Sequence, residues 1–375
     1  MKNRIFLSPP YLTGKELEYV KKAFESNYIA PVGEFIDKFE SKICEYTRSK
    51  YAVAVSSGTA AIHLALRTLG IGQGDYVLAS TFTFIGSVAP ILYQNAIPVF
   101  IDSDEDSWNL SPELLEYAIN DLNKKNIHPK ALILTHIYGQ PAKLDEICEI
   151  CKKNNIFLIE DAAESLGATY NGKHTGTFGI IGIYSFNGNK IITTSGGGML
   201  VTSEKWIADK VRFLSTQAKE NEIWYEHKEI GYNYRMSNVL AAIGLGQLET
   251  IDFRIEKRVE IFDTYRKLLS DIDEINFVPE IEGASGTRWL TTLTFERSNP
   301  FKIIKNLENF NIESRPLWKP MHIQPVFKNF LFYSNGVSES LFKKGICLPS
   351  GTELTLDKIE LIVEKIKEFN LYFYG

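Results

Sequence analysis

Short apolar runs alternate with helix-like segments through the first half of this chain. The runs are rich in β-branched residues and have strand length, at positions 51–55, 76–79, 97–101, 131–135 and 156–159. Segments with a helical spacing of apolar residues lie between them, at 60–69, 112–123 and 144–154. Strands joined by helices of this length need crossover connections, so the pattern predicts an α/β fold with a mostly parallel central sheet flanked by helices.

The second half has a different order of elements. A long helical segment begins near Ser237 and extends toward Leu269, and a strand-like run at 289–295, a helix at 303–309 and a last helix from Thr355 follow it. A length of 375 residues suggests about two domains. We therefore predict a large domain at 1–247 and a smaller C-terminal α+β domain at 248–375, with the boundary inside the long helix.

Charge and composition limit the classes of partner. The net charge of −5 has the wrong sign for a dedicated nucleic-acid binder, so we expect a small-molecule substrate and no nucleic acid. The uncharged stretch from Asp75 to Asp102 is long enough to cross a bilayer, but Pro90, Pro98 and several hydroxyl residues divide it into strand, helix and strand. We expect no membrane insertion, and the first residues lack a signal-peptide pattern.

Cysteine usage indicates a reducing compartment. The chain has four cysteines, and Cys148 and Cys151 form its only C-x-x-C pair. Without a second pair, this spacing favours helix packing over zinc binding. We predict a cytoplasmic protein with no metal site.

A first candidate site follows the first strand, in the run Ser56-Ser57-Gly58-Thr59-Ala60 that opens a helix. Free backbone N–H groups at such a terminus, with hydroxyls beside them, suit a phosphate. Serine and threonine also cap helices without binding anything, and this alternative stays open.

A carboxylate and a lysine form two further candidates. Asp161 ends the strand that begins at Ile156, and in open α/β sheets ligands bind at the carboxyl ends of the strands. Lys190 lies between an aromatic strand and the glycine-rich run Gly196-Gly197-Gly198. Taken alone, Asp161 could cap a loop and Lys190 could be a surface residue. Together with a phosphate cradle they fit pyridoxal phosphate, which needs a carboxylate for its ring nitrogen and a lysine for its aldehyde.

Six motifs follow one another along the chain: S-S-G-T-A-A-I-H-L-A-L, T-F-T-F-I-G-S, H-I-Y-G-Q-P-A-K-L-D, E-D-A-A-E-S-L-G, Y-S-F-N-G-N-K and G-Y-N-Y-R-M-S. In this order they resemble the DegT-type sugar-nucleotide aminotransferases. These enzymes use pyridoxal phosphate and have the aspartate aminotransferase (type I) fold. The resemblance covers essentially the whole chain.

The resemblance implies roles for individual residues. Lys190 is implied as the catalytic lysine that bonds the cofactor and moves the proton, with L-glutamate as amino donor. Asp161 is implied as the partner of the pyridine nitrogen and Phe82 as the ring-stacking aromatic, although a core phenylalanine would also fit. The phosphate site is implied at Gly58, Thr59 and Ser185. Asn233 would reach the phosphate of a neighbouring subunit, which implies a homodimer with shared active sites.

One cofactor-contacting position departs from the common pattern. Most family members have glutamine where this chain has Glu164. A charged glutamate cannot donate a hydrogen bond and would repel the phenolic oxygen of the cofactor. We therefore expect Glu164 to be protonated or turned to another partner.

The 313–322 and 348–352 segments resemble one branch of the family, which makes UDP-4-amino sugars on the way to bacillosamine. The implied substrate is UDP-2-acetamido-4-keto-2,4,6-trideoxyglucose, aminated at C4. Candidates for contacts with the diphosphate or the sugar are cationic or histidine side chains, each of which could equally lie on the surface or in packing: Arg235, Arg315, Lys319 and His322. His63 and His136 are expected to be structural.

Two other functions stay open. The first keeps the chemistry but uses a GDP- or dTDP-linked sugar, as in perosamine formation. The second is a non-catalytic module with the same fold. Dehydratase members of the family have histidine in place of the lysine, and Lys190 argues against that chemistry.

Overall fold

The computed structural model of the protein describes residues 4–374, and side chains as far as Phe369. The first three residues of the predicted large domain and the last residue of the predicted small domain lie outside the described residues. Within the described part, no helix is long and apolar enough to cross a membrane. The four cysteines form no disulfide.

The first half folds as the alternation of segments predicts. Its helices are α1 (Lys15–Glu25), α2 (Glu34–Thr47), α3 (Gly58–Thr68), α4 (Ala89–Tyr93), α5 (Pro112–Lys124), α6 (Leu144–Lys153) and α7 (Lys205–Ser215). Its strands are β1 (Tyr51–Val55), β2 (Tyr76–Ser80), β3 (Ile97–Ile101), β4 (Ala131–Thr135), β5 (Phe157–Asp161), β6 (Thr169–Tyr170), β7 (Lys173–His174), β8 (Ile181–Ser185) and β9 (Gly198–Thr202).

Side chains accept hydrogen bonds from backbone N–H groups at the start of two of these helices, α5 with Ser111 as its N-cap residue and α1 with Gly14. The Ser111 side chain accepts a hydrogen bond from the Leu114 N–H, and Pro112 occupies the first turn of α5. At α1, the Glu16 carboxylate accepts from the Thr13 N–H, and the Thr13 hydroxyl accepts from the Lys15 N–H. Each contact pairs a backbone donor that the helix itself leaves free.

The second half supplies the remaining elements. They are α8 (Asn238–Leu248), α9 (Ile251–Leu268), β10 (Ile275–Phe277), β11 (Ala284–Ser285), β12 (Thr291–Phe295), α10 (Pro300–Asn309), β13 (Arg315–Pro316), β14 (Phe332–Tyr333), α11 (Val337–Lys344), β15 (Gly345–Leu348) and α12 (Leu356–Tyr374). The long helix is thus broken between Leu248 and Ile251, where the sequence-based domain boundary falls.

The central sheet has eight strands in the order β1-β9-β8-β5-β4-β2-β3-β14. The pairs from β8 to β14 are parallel, and only β9 runs antiparallel to its two neighbours. This confirms the α/β class. A second sheet, with the order β10-β12-β15-β13, comes entirely from the C-terminal part.

Two short strands join the N-terminal and C-terminal parts. Strand β14 pairs with β3 at the edge of the central sheet, and β11 pairs with β6. The division at residue 248 therefore remains a prediction, and the segment at 332–333 is built into the larger sheet. Buried residues fill both faces of that sheet, and a separate cluster lies between the second sheet and α9, α10 and α12.

The direction of the strands brings the functional motifs together. Strands β1, β2, β4, β5 and β8 all point the same way, so the loops after them meet at one edge of the sheet. These loops contain the motifs at 56–60, 81–87, 136–140, 161–164 and 185–190. Ligand sites of open α/β sheets lie at such an edge.

Candidate active site

A cavity of about 300 Å³ lies at the carboxyl edge of the central sheet. Its lining comes from the loops after β1, β2, β4, β5 and β8, with two tryptophans from the C-terminal part. Lys190, Asp161 and Glu164 are its titratable side chains. Residues that are far apart in the sequence, such as Ser57 and Trp318, thus line one small cavity.

One end of this cavity is formed by the start of α3. The Ser57 hydroxyl accepts the hydrogen bond of the Ala60 N–H, so Ser57 caps the helix. Gly58 is held close to Ser185: a β-carbon at position 58 would lie 3.2 Å from the Ser185 Cβ. The glycine therefore allows the helix terminus and the end of β8 to meet, with Thr59 lining the cavity beside them.

Asp161 is fixed at the end of β5. Its Oδ2 accepts a hydrogen bond of 2.5 Å from the Ser87 hydroxyl, and its Oδ1 accepts one of 3.1 Å from the Ala163 N–H. Ser87 is bonded in turn to Thr83, whose hydroxyl lies 3.0 Å from that of Thr135. This chain of hydroxyls orients an almost fully buried carboxylate toward the cavity.

Glu164 and Lys190 form an ion pair in the same cavity. The Glu164 Oε1 atom lies 3.6 Å from the Lys190 Nζ atom, and the Glu164 Oε2 atom accepts a hydrogen bond of 2.7 Å from the Tyr138 N–H. Burial raises the pKa of Glu164, and the positive charge of Lys190 opposes that rise only in part. We expected Glu164 to be protonated or turned to another partner; the carboxylate has two contacts within the chain, and its raised pKa favours the protonated form, so both alternatives stay predictions.

A tryptophan covers the lysine. The Lys190 Nζ atom lies 4.0 Å from the centre of the Trp289 ring. The Trp289 indole N–H donates to the carbonyl of Asn189, the residue before the lysine, at 2.7 Å. Trp289 is almost fully buried.

A larger cavity of about 840 Å³ adjoins the first. The two share the side chains of Thr83, Phe84, Asn189, Trp289 and Trp318. The larger one is mostly apolar, and its charged lining residues are Glu313, Arg315 and Lys319. The small cavity, with its partly buried lysine, thus adjoins a space large enough for a bulky ligand.

The small cavity fits pyridoxal phosphate in three respects. It has a glycine-containing helix terminus at Gly58 that can approach a phosphate closely. It has a buried carboxylate, Asp161, whose two oxygens are already oriented and can hold a protonated ring nitrogen. It has one lysine, Lys190, beside them.

Comparison with known proteins assigns the family. Residues 10–367 match the DegT/DnrJ/EryC1/StrS aminotransferase family. The chain belongs to this family. It is therefore a pyridoxal phosphate-dependent sugar aminotransferase, as the six motifs implied.

Relatives and solved structures agree with this assignment. The chain is 51% identical to EpsN of Bacillus subtilis (strain 168), whose name places it among pyridoxal phosphate-dependent aminotransferases, over 97% of this chain and 95% of EpsN. It is 40% identical to a GDP-perosamine synthase of Escherichia coli O157:H7, over 96% and 97% of the two chains. The crystal structure of a DegT DnrJ EryC1 StrS aminotransferase from Brucella abortus superposes with a TM-score of 0.89 at 29% identity and covers 95% of each chain.

The aminotransferase places a different aromatic side chain at the cavity from the one predicted. Phe82 is buried in the core, where its ring contacts Tyr138 edge-on, and it does not line the cavity. Phe84 does line it and is half exposed. The chain leaves the sheet after Ser80, so the alternation of faces along a strand no longer decides which ring points outward.

Arg235 is not placed to bind substrate. Its guanidinium forms an ion pair with Glu40 and donates to the Ala54 carbonyl at 2.9 Å, and its side chain is 9% exposed. Glu40 also binds Arg212 and accepts from the Ala54 N–H. Arg235 therefore ties α2 to β1, and the predicted substrate contact is replaced by a packing role.

His322 is also used internally. Its Nδ1 atom lies 2.7 Å from the Thr81 hydroxyl, and its ring stacks on Phe332. It is buried and lines neither cavity. Arg315 and Lys319, by contrast, line the larger cavity, with Arg315 paired to Glu313 at 2.8 Å, and their contact with a substrate stays a prediction.

Asn233 lies outside both cavities of its own chain. It is exposed and forms an isolated bridge with Thr216. Four large apolar side chains are exposed in the segment before it: Ile223, Trp224, Tyr225 and Ile230. Its role across a subunit interface stays a prediction.

The two histidines that we expected to be structural are internal. The His136 Nε2 atom lies 3.0 Å from the Glu160 carboxylate, and its Nδ1 accepts from the Ala142 N–H. Both His136 and Glu160 are fully buried. His63 packs against Tyr232 and lies 2.6 Å from the Gln94 side-chain nitrogen.

Sequence reasoning missed several residues at the site. Ser87, Tyr138, Trp289 and Trp318 all contact a predicted site residue or line a cavity. Ser87 and Tyr138 lie inside recognised motifs and could have been found there. Trp289 could not, because no local pattern indicates that residue 289 returns to the loop at 190.

Proposed function

We propose that the protein transfers an amino group from L-glutamate to C4 of a nucleotide-linked 4-keto-6-deoxy sugar. The proposed substrate is UDP-2-acetamido-4-keto-2,4,6-trideoxyglucose, on the route to bacillosamine. The observation that carries the proposal is the position of Lys190, in a cofactor-sized cavity that opens into a larger one.

The residues of the small cavity would hold the cofactor at three points. The helix terminus at Gly58 and Thr59, with Ser185, would hold the phosphate, and Asp161 would keep a proton on the ring nitrogen. Phe84, which lines the cavity together with Trp289 and Trp318, would contact the ring in place of Phe82. Pyridoxal phosphate supplies the aldehyde that carries the amino group and the ring that takes up electrons during the reaction.

Lys190 would move the proton at the reacting carbon. A lysine amine can accept a proton only when it is neutral and can donate one only when it is charged. The Glu164 carboxylate forms an ion pair with this amine, with 3.6 Å between Oε1 and Nζ. Glu164 is buried and Lys190 is partly exposed, at 4% and 13% of their side-chain areas, so water screens the pair less than it would at the surface.

The larger cavity would bind the nucleotide sugar. Its aromatic side chains, among them Phe6, Phe84 and Trp318, offer flat apolar surface to a base and a deoxysugar. Arg315 and Lys319 supply the cationic groups that a diphosphate requires.

The nucleotide is the part of the proposal that needs a direct test. Turnover with glutamate is measured on the UDP-, GDP- and dTDP-linked 4-keto-6-deoxy sugars at equal concentration. We expect the highest kcat/KM on the UDP-linked acetamido sugar. A preference for the GDP-linked sugar would replace this substrate by that of perosamine formation, which the GDP-perosamine synthases among the relatives favour.

We further propose that the active enzyme is a cytoplasmic homodimer with shared active sites. The exposed position of Asn233 and the exposed apolar segment before it support this arrangement. A side chain that faces away from its own cavity can serve a ligand only through a second subunit.

A further inference from the structure

Trp289 is held in place by three separate contacts. Its backbone N–H donates to the Tyr138 carbonyl at 3.1 Å, and its own carbonyl accepts from the buried guanidinium of Arg258 at 2.5 Å. Its indole N–H donates to the Asn189 carbonyl at 2.7 Å. A large ring fixed at both its backbone and its tip has little freedom to move.

The loops that hold Trp289 meet at unusually close range. Gly139 has a φ of +85°, and a β-carbon there would lie 2.2 Å from the Thr287 hydroxyl. The Thr287 N–H donates to the Gly139 carbonyl at 2.9 Å. Only glycine at 139 lets the segment before Trp289 approach the loop after β4 this closely.

The Asn189 carbonyl has a second donor. The Ser8 hydroxyl donates to it at 2.8 Å, and the Ser8 oxygen accepts from Arg258 at 3.1 Å. Arg258 thus holds both residues that donate to this carbonyl. The backbone directly before Lys190 is fixed from the N-terminal segment and from the C-terminal part at once.

The ring of Trp289 also faces the charge on the lysine. A cation at 4.0 Å from the centre of an indole ring is attracted by the electrons of its face. The nearest carboxylate is that of Glu164, whose Oε1 atom lies 3.6 Å from the Lys190 Nζ atom. The lysine amine therefore contacts both a carboxylate and an aromatic face.

We infer that Trp289 is a positioning residue for Lys190, fixing the backbone before the lysine through its indole N–H and stabilising the ammonium form through its ring. This inference rests on the proposed role of Lys190 and goes beyond it, because it assigns a role to a residue of the C-terminal part. If Trp289 has this role, the position of the Lys190 amine depends on how the C-terminal part packs against the loop at 190.

A test of this inference must leave the other titratable groups near Trp289 and Lys190 unchanged. Those of the small cavity are Asp161 and Glu164, and those of the adjoining cavity are Tyr138, Glu313, Arg315, Lys319 and Cys347. A substitution of Trp289 leaves all of them in place. Any change in the titration of Lys190 would then come from the ring or from the backbone that it holds.

The first test measures the reactivity of Lys190 directly. The full-length protein, freed of cofactor, is acetylated with trace reagent between pH 6 and pH 11, and the extent at Lys190 is read by mass spectrometry. In Trp289→Leu we expect the midpoint of labelling to fall by about half a pH unit, because the neutral amine is no longer disfavoured by the ring. An unchanged midpoint would overturn the ring's role.

The second test separates the N–H from the ring in the holoenzyme. Trp289→Phe keeps an aromatic face and loses the donor, while Ser8→Ala removes the other donor to the same carbonyl. We expect each to lower kcat about fivefold with the KM for glutamate unchanged, because each removes one of the two hydrogen bonds to the Asn189 carbonyl. Unchanged kcat in both variants would overturn the positioning role, and Trp206→Phe, at an exposed tryptophan, is the matched control.

Lys190→Ala distinguishes this inference from the proposed function. If that variant keeps the visible absorbance of the bound cofactor and its activity, the role of Lys190 fails. If it loses both while the Trp289 and Ser8 variants match the wild type, only the role of Trp289 fails.

Discussion

Glu164 and Lys190, separated by 26 positions in the chain, meet with 3.6 Å between carboxylate and ammonium inside a buried cavity. Burial raises the pKa of Glu164 above its ordinary value of 4.5, and the lysine charge and the Tyr138 N–H oppose this rise without reversing it. The charged form of the buried Glu164 is therefore stabilised by two partners, the Lys190 ammonium and the Tyr138 N–H.

The first prediction concerns stability and pH. Between pH 4.5 and its raised pKa, Glu164 binds more protons in the folded chain than in the unfolded one, so the free energy of unfolding falls as pH rises. In Glu164→Gln this fall should disappear. Urea unfolding of the cofactor-free protein from pH 4.5 upward measures it, with exposed Glu18→Gln as control. An identical slope of unfolding free energy against pH in wild type and Glu164→Gln would contradict the raised pKa of Glu164.

We also expect Glu164→Gln to stay active.

The second prediction concerns the hydrogen bond that orients Asp161. Ser87→Ala removes the 2.5 Å contact to the carboxylate and leaves one of its oxygens without that donor. We expect cofactor affinity to fall about tenfold, since hydrogen bonds to charged groups are stronger than neutral ones. Titration of the cofactor by its absorbance measures the affinity, and Ser203→Ala, at an exposed serine, should match the wild type.

The third prediction contrasts two arginines. Arg235→Ala leaves Arg212 as the cationic partner of the buried Glu40 carboxylate, beside the Ala54 N–H, so we expect a loss of about 3 kcal/mol in the free energy of unfolding. Arg315→Ala, at an exposed side chain, should change stability by less than about 0.5 kcal/mol and raise the KM for the nucleotide sugar. Denaturant titrations and steady-state kinetics check both. A raised KM with unchanged stability in Arg235→Ala would contradict the structural role of its ion pair with Glu40.

The fourth prediction contrasts the two phenylalanines of one motif. Phe82→Ala creates a cavity in the core and should cost about 3 to 5 kcal/mol of stability. Phe84→Ala should leave stability almost unchanged and weaken cofactor binding. Comparing unfolding with cofactor titration for the two variants decides which ring contacts the cofactor; weakened cofactor binding in a folded Phe82→Ala alone would restore the sequence-based choice.

The fifth prediction concerns the dimer. If Asn233 serves the neighbouring subunit, Lys190→Ala and Asn233→Ala subunits are each impaired alone but form one intact site when they associate. Mixing them after dissociation should restore activity toward a quarter of the wild-type value, because half of the random dimers are mixed and each has one intact site. Activity that stays at the sum of the separate variants would exclude sharing of sites.

Local patterns were sufficient where a residue's role depends on its immediate neighbours in the chain. The strands, the helices and the motifs of Asp161 and Lys190 were predicted because apolar periodicity and short motifs extend over only a few positions. Because the strands before them point the same way, Gly58, Asp161 and Lys190 lie at one edge of the central sheet. The family resemblance added the cofactor, and the match over residues 10–367 confirmed it.

Tertiary structure decided what depends on the position of side chains between distant segments. Phe82 and Phe84 have the same chemistry and similar neighbours, and Arg235 and Arg315 have the same charge, so the sequence alone does not distinguish the members of either pair. Their roles differ in the folded protein. Phe82 packs in the core and Arg235 pairs with the buried Glu40 carboxylate, whereas Phe84 and Arg315 line the cavities. Trp289 shows the same dependence most clearly: its contact with Lys190 exists only because the chain folds back across about a hundred positions, and packing, not sequence spacing, determines that distance.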